Sequence, residues 1–212
     1  RESGRIAIAV LYVESILGSL CMSVSTSRRQ FLMGLGLGAS AIFAGLPKCL
    51  AQPAVEAAQK SIPLRLLNPN TREAYDLELF IGDQWNPVAL QWCHWLMRDW
   101  RQQTAVECDR RLYAALYVLQ RYFSENGRIS INSGFRTQKT QEALREAGYG
   151  PAVNSLHLRA KAVDFTLPGV SMRNVARATW ALKLGGVGYY EDMNFVHMDS
   201  RGAQARWADS FL

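Results

Sequence analysis

His157 and His197, two of the chain's three histidines, lie forty residues apart, and Asp164 follows the first by seven. For three such side chains to act together, the chain must reverse between His157 and Asp164 and later return to the same place. Seven residues are too many for one strand edge, and no helical periodicity joins them, so a turn through residues 158–161 is predicted. Ala162-Val163-Asp164-Phe165-Thr166-Leu167 then reads as a short strand ended by Pro168-Gly169. A second strand is predicted over 194–199, after the run Gly185-Gly186-Val187-Gly188-Tyr189-Tyr190. Alternate residues of a strand share a face, so His197 and Asp199 point the same way.

Two imidazoles and a carboxylate form a borderline-hard N/N/O donor set. Such a set suits Zn²⁺ with a fourth position open to water. His157, Asp164 and His197 are therefore the expected metal ligands. The remaining histidine, His94, reads as a satisfied or surface residue.

The flanking segments predict one compact α+β domain, a small antiparallel sheet with helices packed on it. Residues 64–68 and 75–80 flank Pro69-Asn70-Thr71-Arg72 and read as a hairpin. Asn86-Pro87 opens a helix running to about Arg101, with Asn as N-cap and Pro at the first helical position. Its Trp92, Trp95, Leu96 and Trp100 read as core or rim packing, with carbohydrate stacking as a lesser alternative. Asp109 caps a second helix to about Phe123, with Leu112, Leu116, Leu119 and Phe123 at helical spacing. Residues 128–133 form a strand, Thr137 caps a short helix to Glu146, and Ser171 precedes another over 172–182.

The N-terminal part reads differently. Ser27-Arg28-Arg29-Gln30-Phe31-Leu32 is a twin-arginine signal, followed by a glycine-interrupted apolar stretch to Leu46 and a cleavage site at Cys49-Leu50-Ala51. The apolar stretch is short for a membrane span, which needs about 20 residues. An uncleaved signal is the one route to a membrane. Met22 is a natural start for such a signal, so residues 1–21 read as an over-extended start, with a longer leader carrying its own apolar stretch, Ile6 to Val13, as the alternative. Residues 22–51 read as signal peptide, 52–63 as a lead-in and 64–212 as the folded domain. Five of the 24 basic residues (Arg1, Arg5, Arg28, Arg29, Lys48) and two of the 18 acidic ones (Glu2, Glu14) precede residue 52. The remainder carries 19 basic against 16 acidic residues, too mild an excess to point to nucleic acid. Cys93 and Cys108 survive processing; pairing in an oxidising periplasm and two buried free thiols are both open.

Ser133-Gly134-Phe135-Arg136, the segment from Ser155 to Asp164, the run Leu184 to Tyr190 and Phe195-Val196-His197-Met198-Asp199 together resemble the M15 zinc peptidases. The nearest branch is the exported murein endopeptidases, which share the hedgehog/D-Ala-D-Ala-peptidase-like fold. The resemblance covers roughly Leu64 to Trp207 and is strongest from Asn132. It departs at Ala160, where the family has glycine; if that position needs a positive φ, alanine costs about 1 kcal/mol.

The resemblance implies a zinc peptidase of the periplasm, acting as a monomer on peptidoglycan and cutting its peptide cross-links. A D,D-carboxypeptidase and a non-catalytic zinc-containing wall-binding module are the alternatives. It also implies that Arg136 faces the cleft, with Ser133, to hold substrate or stabilise a carbonyl oxygen. Ser155 is placed to orient a metal ligand. Two carboxylates compete as proton shuttle. Asp199 shares the strand face of His197, and Glu191 precedes His197 by six residues, the spacing of hedgehog-type relatives. The close murein endopeptidases often carry proline at the Glu191 position, which favours Asp199.

Overall fold

A computed structural model describes residues 62–124 and 126–212. The twin-arginine segment, the cleavage site and most of the lead-in lie outside the described residues. A hairpin of β1 (Leu64–Asn68) and β2 (Glu73–Leu77) opens the domain, followed by a two-stranded ribbon of β3 (Phe80–Ile81) and β4 (Gln84–Trp85). Helix α1 spans Pro87–Leu96 and α2 spans Arg110–Phe123. Strand β5 (Ile129–Ser133), helix α3 (Gln138–Glu146), strand β6 (Ala162–Thr166) and helix α4 (Met172–Ala181) follow. Strands β7 (Gly186–Tyr190), β8 (Phe195–Asp199) and β9 (Ala205–Ala208) complete the chain. Among the described residues, no helix is long and apolar enough to cross a membrane.

The sheet is larger and less regular than predicted. Seven strands run in the order β2-β1-β5-β6-β8-β7-β9. Four pairings are antiparallel, but β1 lies parallel to β5 and β7 parallel to β9. Both parallel contacts arise where the chain crosses over before returning, through α1 and α2 in one case and over β8 in the other. A hydrophobic period reports which face of a strand is buried, not which neighbour it pairs with.

Alternation does decide the two faces. Val163, Phe165, Val187, Tyr189, Val196 and Met198 face one side and join a single apolar core with Leu112, Leu116, Leu119 and Val175 of α2 and α4. Fully burying a side chain the size of Phe165 or Met198 contributes about 1.5–3 kcal/mol. The alternate residues Asp164, His197 and Gly188 face the other side.

Helix starts follow the sequence closely. Asn86 accepts the amides of Val88 and Ala89, Asp109 that of Arg111, and Thr137 that of Thr140. Helix α1 nevertheless ends at Leu96, five residues before the predicted Arg101. There the tertiary contacts win: the Met97 carbonyl accepts from Phe135 N at 2.7 Å, and Arg98 pairs with Glu73 at 2.7 Å. Leu96 is core, whereas Trp92 and Trp95 lie on the rim, against Tyr75 and Glu73 respectively. Cys93 and Cys108 are buried free thiols, and burial pushes Cys108 up to about 11. His94 is satisfied, its Nδ1 meeting the Tyr113 hydroxyl at 2.9 Å and the Cys108 amide at 3.1 Å.

Candidate metal centre

One row of residues crosses five strands at a single register: Ser133 on β5, Asp164 on β6, His197 on β8, Gly188 on β7 and Trp207 on β9. A β-bulge at Asn132 sets the β5 end. Ser130 pairs with Thr166 and Ile131 with Phe165, but Ser133 rather than Asn132 then opposes Asp164. The extra residue turns Ser133 to the face of the row.

His157 reaches the row from a separate element. Leu156–Arg159 form one turn of 3-10 helix, closed by Ala160 in the left-handed region at φ 54 and ψ 33. Ser155 caps this turn, its hydroxyl accepting from the His157 amide at 3.4 Å, so it holds the backbone of the ligand rather than its ring. The reversal brings His157 Nε2, Asp164 Oδ1 and His197 Nδ1 into a triangle with sides of 3.2, 3.2 and 2.7 Å. Ligands bonded tetrahedrally at about 2.0–2.1 Å stand about 3.3 Å from one another. The triangle is therefore close to one face of such a tetrahedron, and the donor set fits a divalent cation.

The outer atoms of the same rings support that fit. His157 Nδ1 faces the Gly134 carbonyl at 2.6 Å, which can only accept. The proton is thereby placed on Nδ1 and the lone pair on Nε2. His197 Nε2 faces Asp199 Oδ2 at 3.5 Å, leaving Nδ1 for the triangle. Burial disfavours a charge on His197, but its hydrogen bonds to Asp164 and Asp199 outweigh this and raise its pKa. Burial lowers that of His157. Burial also acts against the Asp164 anion, yet His157 and His197 hold that carboxyl well below the usual range. The contact of His197 Nδ1 with Asp164 Oδ1, at 2.7 Å, thus lies where a cation can be held.

The Ser133 to Arg136 segment braces this arrangement. Gly134 has no room for a side chain, because a Cβ would collide with the Met97 carbonyl. Its carbonyl is the group that fixes His157. Arg136 Nη2 bonds Asp164 Oδ2 at 2.6 Å, Arg136 Nε bonds Ser133 Oγ at 2.8 Å, and the Arg136 amide bonds the His157 carbonyl at 3.1 Å. Arg136 lines the cleft while clamping a ligand, whereas Ser133 serves as acceptor for Arg136.

The two competing carboxylates lie apart. Asp199 is fully buried, and its oxygens receive Gly186 N, Arg201 N and the Arg201 guanidinium as well as His197. Although burial opposes ionisation, these donors hold it far below the ordinary carboxylate range. Glu191 is exposed, pairs with Arg173 at 3.0 Å, and is absent from the cleft lining.

The row opens into a cleft of about 630 Å³. One wall contains groups that the sequence reading did not single out: Tyr190, Trp207 and Arg201. Trp207 Nε1 donates to Tyr190 Oη at 3.0 Å, and the Trp207 ring lies 5.2 Å from that of His197. Tyr190 stacks on Phe195 at 4.5 Å. The available signal was the alternation Gly186-Val187-Gly188, which clears one strand face for a large ring; its partner on β9 could not be read from it.

The family model of the M15 peptidases described as peptidoglycan L,D-endopeptidase MepK matches residues 56–207. The chain belongs to this M15 family. It is 32% identical over 180 residues to the "Probable peptidoglycan L,D-endopeptidase MepK" of Haemophilus influenzae, covering 84% of this chain and 94% of that protein. Identity to the peptidoglycan L,D-endopeptidase MepK of Escherichia coli K12 is 32% over 175 residues, covering 82% and 94%. No solved structure gives a significant match. In this M15 chain the turn position written as glycine in the family pattern is Ala160, and it does adopt a positive φ.

Proposed function

We propose that the chain is a zinc-dependent peptidoglycan endopeptidase that hydrolyses peptide cross-links of the wall, acting as a monomer in the periplasm. The observation that carries this is the triangle of His157, Asp164 and His197 at the base of an open cleft, in a member of the M15 family. The MepK relatives are named for an L,D bond, which supports a scissile bond between an L and a D centre. The same donor set, two ligands on adjacent strands and one on the turn before them, also supports the hedgehog-type kinship.

His157, Asp164 and His197 would hold the zinc ion. When bound, zinc supplies Lewis acidity toward a carbonyl oxygen and lowers the pKa of water. The chain's own residues supply geometry. Gly134 and Asp199 fix the two rings through their outer nitrogens, and Arg136 aims the Asp164 carboxylate. Tyr190 and Trp207 give an extended peptide a flat wall beside His197.

A second reading, a zinc-holding wall-binding module, is favoured by one observation. Both carboxylates considered as proton shuttle already have partners, Asp199 in the interior and Glu191 at the surface. Digestion of purified sacculi with and without chelator separates the readings. An endopeptidase converts cross-linked muropeptides to monomers only when metal is present, and a D,D-carboxypeptidase releases terminal D-Ala alone. A binding module releases nothing. His157→Ala and His197→Ala should each abolish tight zinc binding; full zinc occupancy in both variants would overturn the ligand assignment.

Export is part of the proposal and rests on Arg28-Arg29. Replacing both by Lys should leave precursor in the cytoplasm. Normal periplasmic accumulation of that variant would show another route.

A further inference from the structure

Arg201 lies two residues beyond β8 and lines the cleft beside Trp207, with its guanidinium carbon 5.3 Å from that ring's centre. A guanidinium carries five N–H donors. Asp199 takes the Nε edge: Nε lies 3.0 Å from each carboxylate oxygen and Nη2 lies 2.7 Å from Oδ2. Asp199 also accepts the backbone amide of Arg201 at 3.1 Å, so both ends of the residue are tied to one buried group. Nη1 has no acceptor among the described residues. The outer edge, formed by Nη1 and the second N–H of Nη2, is left as a fork that matches a carboxylate.

The rest of the cleft sharpens this. Its lining holds two cations, Arg136 and Arg201, and one carboxylate, Asp164. Asp164 is enclosed by His157, His197 and Arg136. Arg136 gives its Nε and Nη2 to Ser133 and Asp164 and is 14% exposed, against 40% for Arg201. Arg201 is thus the more open of the two lining cations, held in place with its outer edge toward the cleft. Because Asp199 has already ordered it, little further side-chain entropy is lost when a guest binds.

We propose that Arg201 is a specificity residue that receives a free carboxylate of the substrate, on the Trp207 side of the scissile bond. This rests on the endopeptidase reading. It commits the site to stems carrying an anion next to the cross-link, and it assigns Asp199 the double task of steadying His197 and aiming Arg201. Two carboxylates of a cross-linked stem have the required chemistry: the α-carboxylate ending a stem, and a side-chain carboxylate on the cross-linking residue.

The test uses the full chain loaded with zinc and three synthetic cross-linked peptides: one with both carboxylates free, one amidated at the stem terminus, one amidated on the cross-linking residue. A hydrogen bond to a charged group predicts a preference of about 10–100-fold in kcat/KM for the carboxylate over its matching amide, carried mainly in KM. Arg201→Gln should reduce that preference to near unity, and Arg201→Lys should restore part of it. The amide that reproduces the loss identifies the carboxylate that is read. An equal loss by Arg201→Gln on all three peptides would confine Arg201 to supporting Asp199 and overturn the proposal. If the unmodified chain cuts none of them, the endopeptidase reading fails instead. Calorimetric binding of the same peptides then decides this proposal, and equal affinity for acid and amides would sink it.

Discussion

The indole of Trp207 rests on Gly188, where a Cβ would stand 2.5 Å from Nε1. Gly186 is bare for the same reason, since a Cβ there would lie 2.7 Å from the far edge of the ring and 2.5 Å from Asp199 Oδ2. The two glycines of β7 therefore make room at once for the cleft wall and for the carboxylate behind His197.

Gly188→Ala should push Trp207 off the sheet. Overpacking of this kind costs about 1–3 kcal/mol, and the half-buried position of the ring on an edge strand favours the lower end. Urea unfolding should show a small loss of stability, accompanied by a red shift of tryptophan emission and a larger proportional loss of hydrolysis. Unchanged emission and activity would show that Trp207 does not depend on this floor.

Asp199→Asn separates positioning from proton transfer. A carboxylate that only orients His197 should, when neutralised, weaken zinc affinity by about 10–100-fold. A proton shuttle should leave zinc in place and lose about 10²–10⁴ in rate. Its burial and its bonds to Gly186 and Arg201 predict the first outcome. Glu191→Gln, at an exposed carboxylate paired with Arg173, should change hydrolysis little. Metal titration beside kcat for both variants checks the assignment.

Asp99 ties two loops together in the interior. It is 2% exposed and accepts both the amide and the hydroxyl of Thr137 at 2.8 Å, immediately after Arg136. Burial acts to raise its pKa, but the hydrogen bonds prevail and lower it. A depressed folded pKa contributes stability that is present above the unfolded value of about 3.9 and is lost as pH falls through the folded value. Asp99→Asn should thus cost about 1–3 kcal/mol at neutral pH, with the gap from the unmodified protein closing below about pH 4. Urea titrations across that range test it; a gap independent of pH would assign the cost to packing.

Ala160→Gly should stabilise the domain. An L-residue in the left-handed region costs about 1–2 kcal/mol, partly offset by about 0.4–1 kcal/mol for the freer unfolded glycine. A net gain of up to about 1.6 kcal/mol is expected in metal-free urea unfolding with an unchanged slope. A loss would mean that the buried methyl group of Ala160, 5% exposed, contributes more than the strain removes.

The sequence by itself determined the local features, because each is written in adjacent residues. Asn86, Asp109 and Thr137 announce helix starts through their own side chains, and Met172 to Ala181 and Gln138 to Glu146 follow. Strands β6 and β8, and the shared face of His197 and Asp199, follow from alternation. The tertiary structure decided everything that depends on which strands meet. The parallel pairings of β1 with β5 and β7 with β9, the early end of α1 at the Met97 carbonyl, and the bulge that turns Ser133 toward Asp164 are contacts between distant segments. So are the closing of Arg201 on Asp199 and the placing of Trp207 over Gly188, which no periodicity encodes. A repeating pattern reports burial along one element, whereas a site is a meeting of several, and its geometry exists only once the sheet order is set.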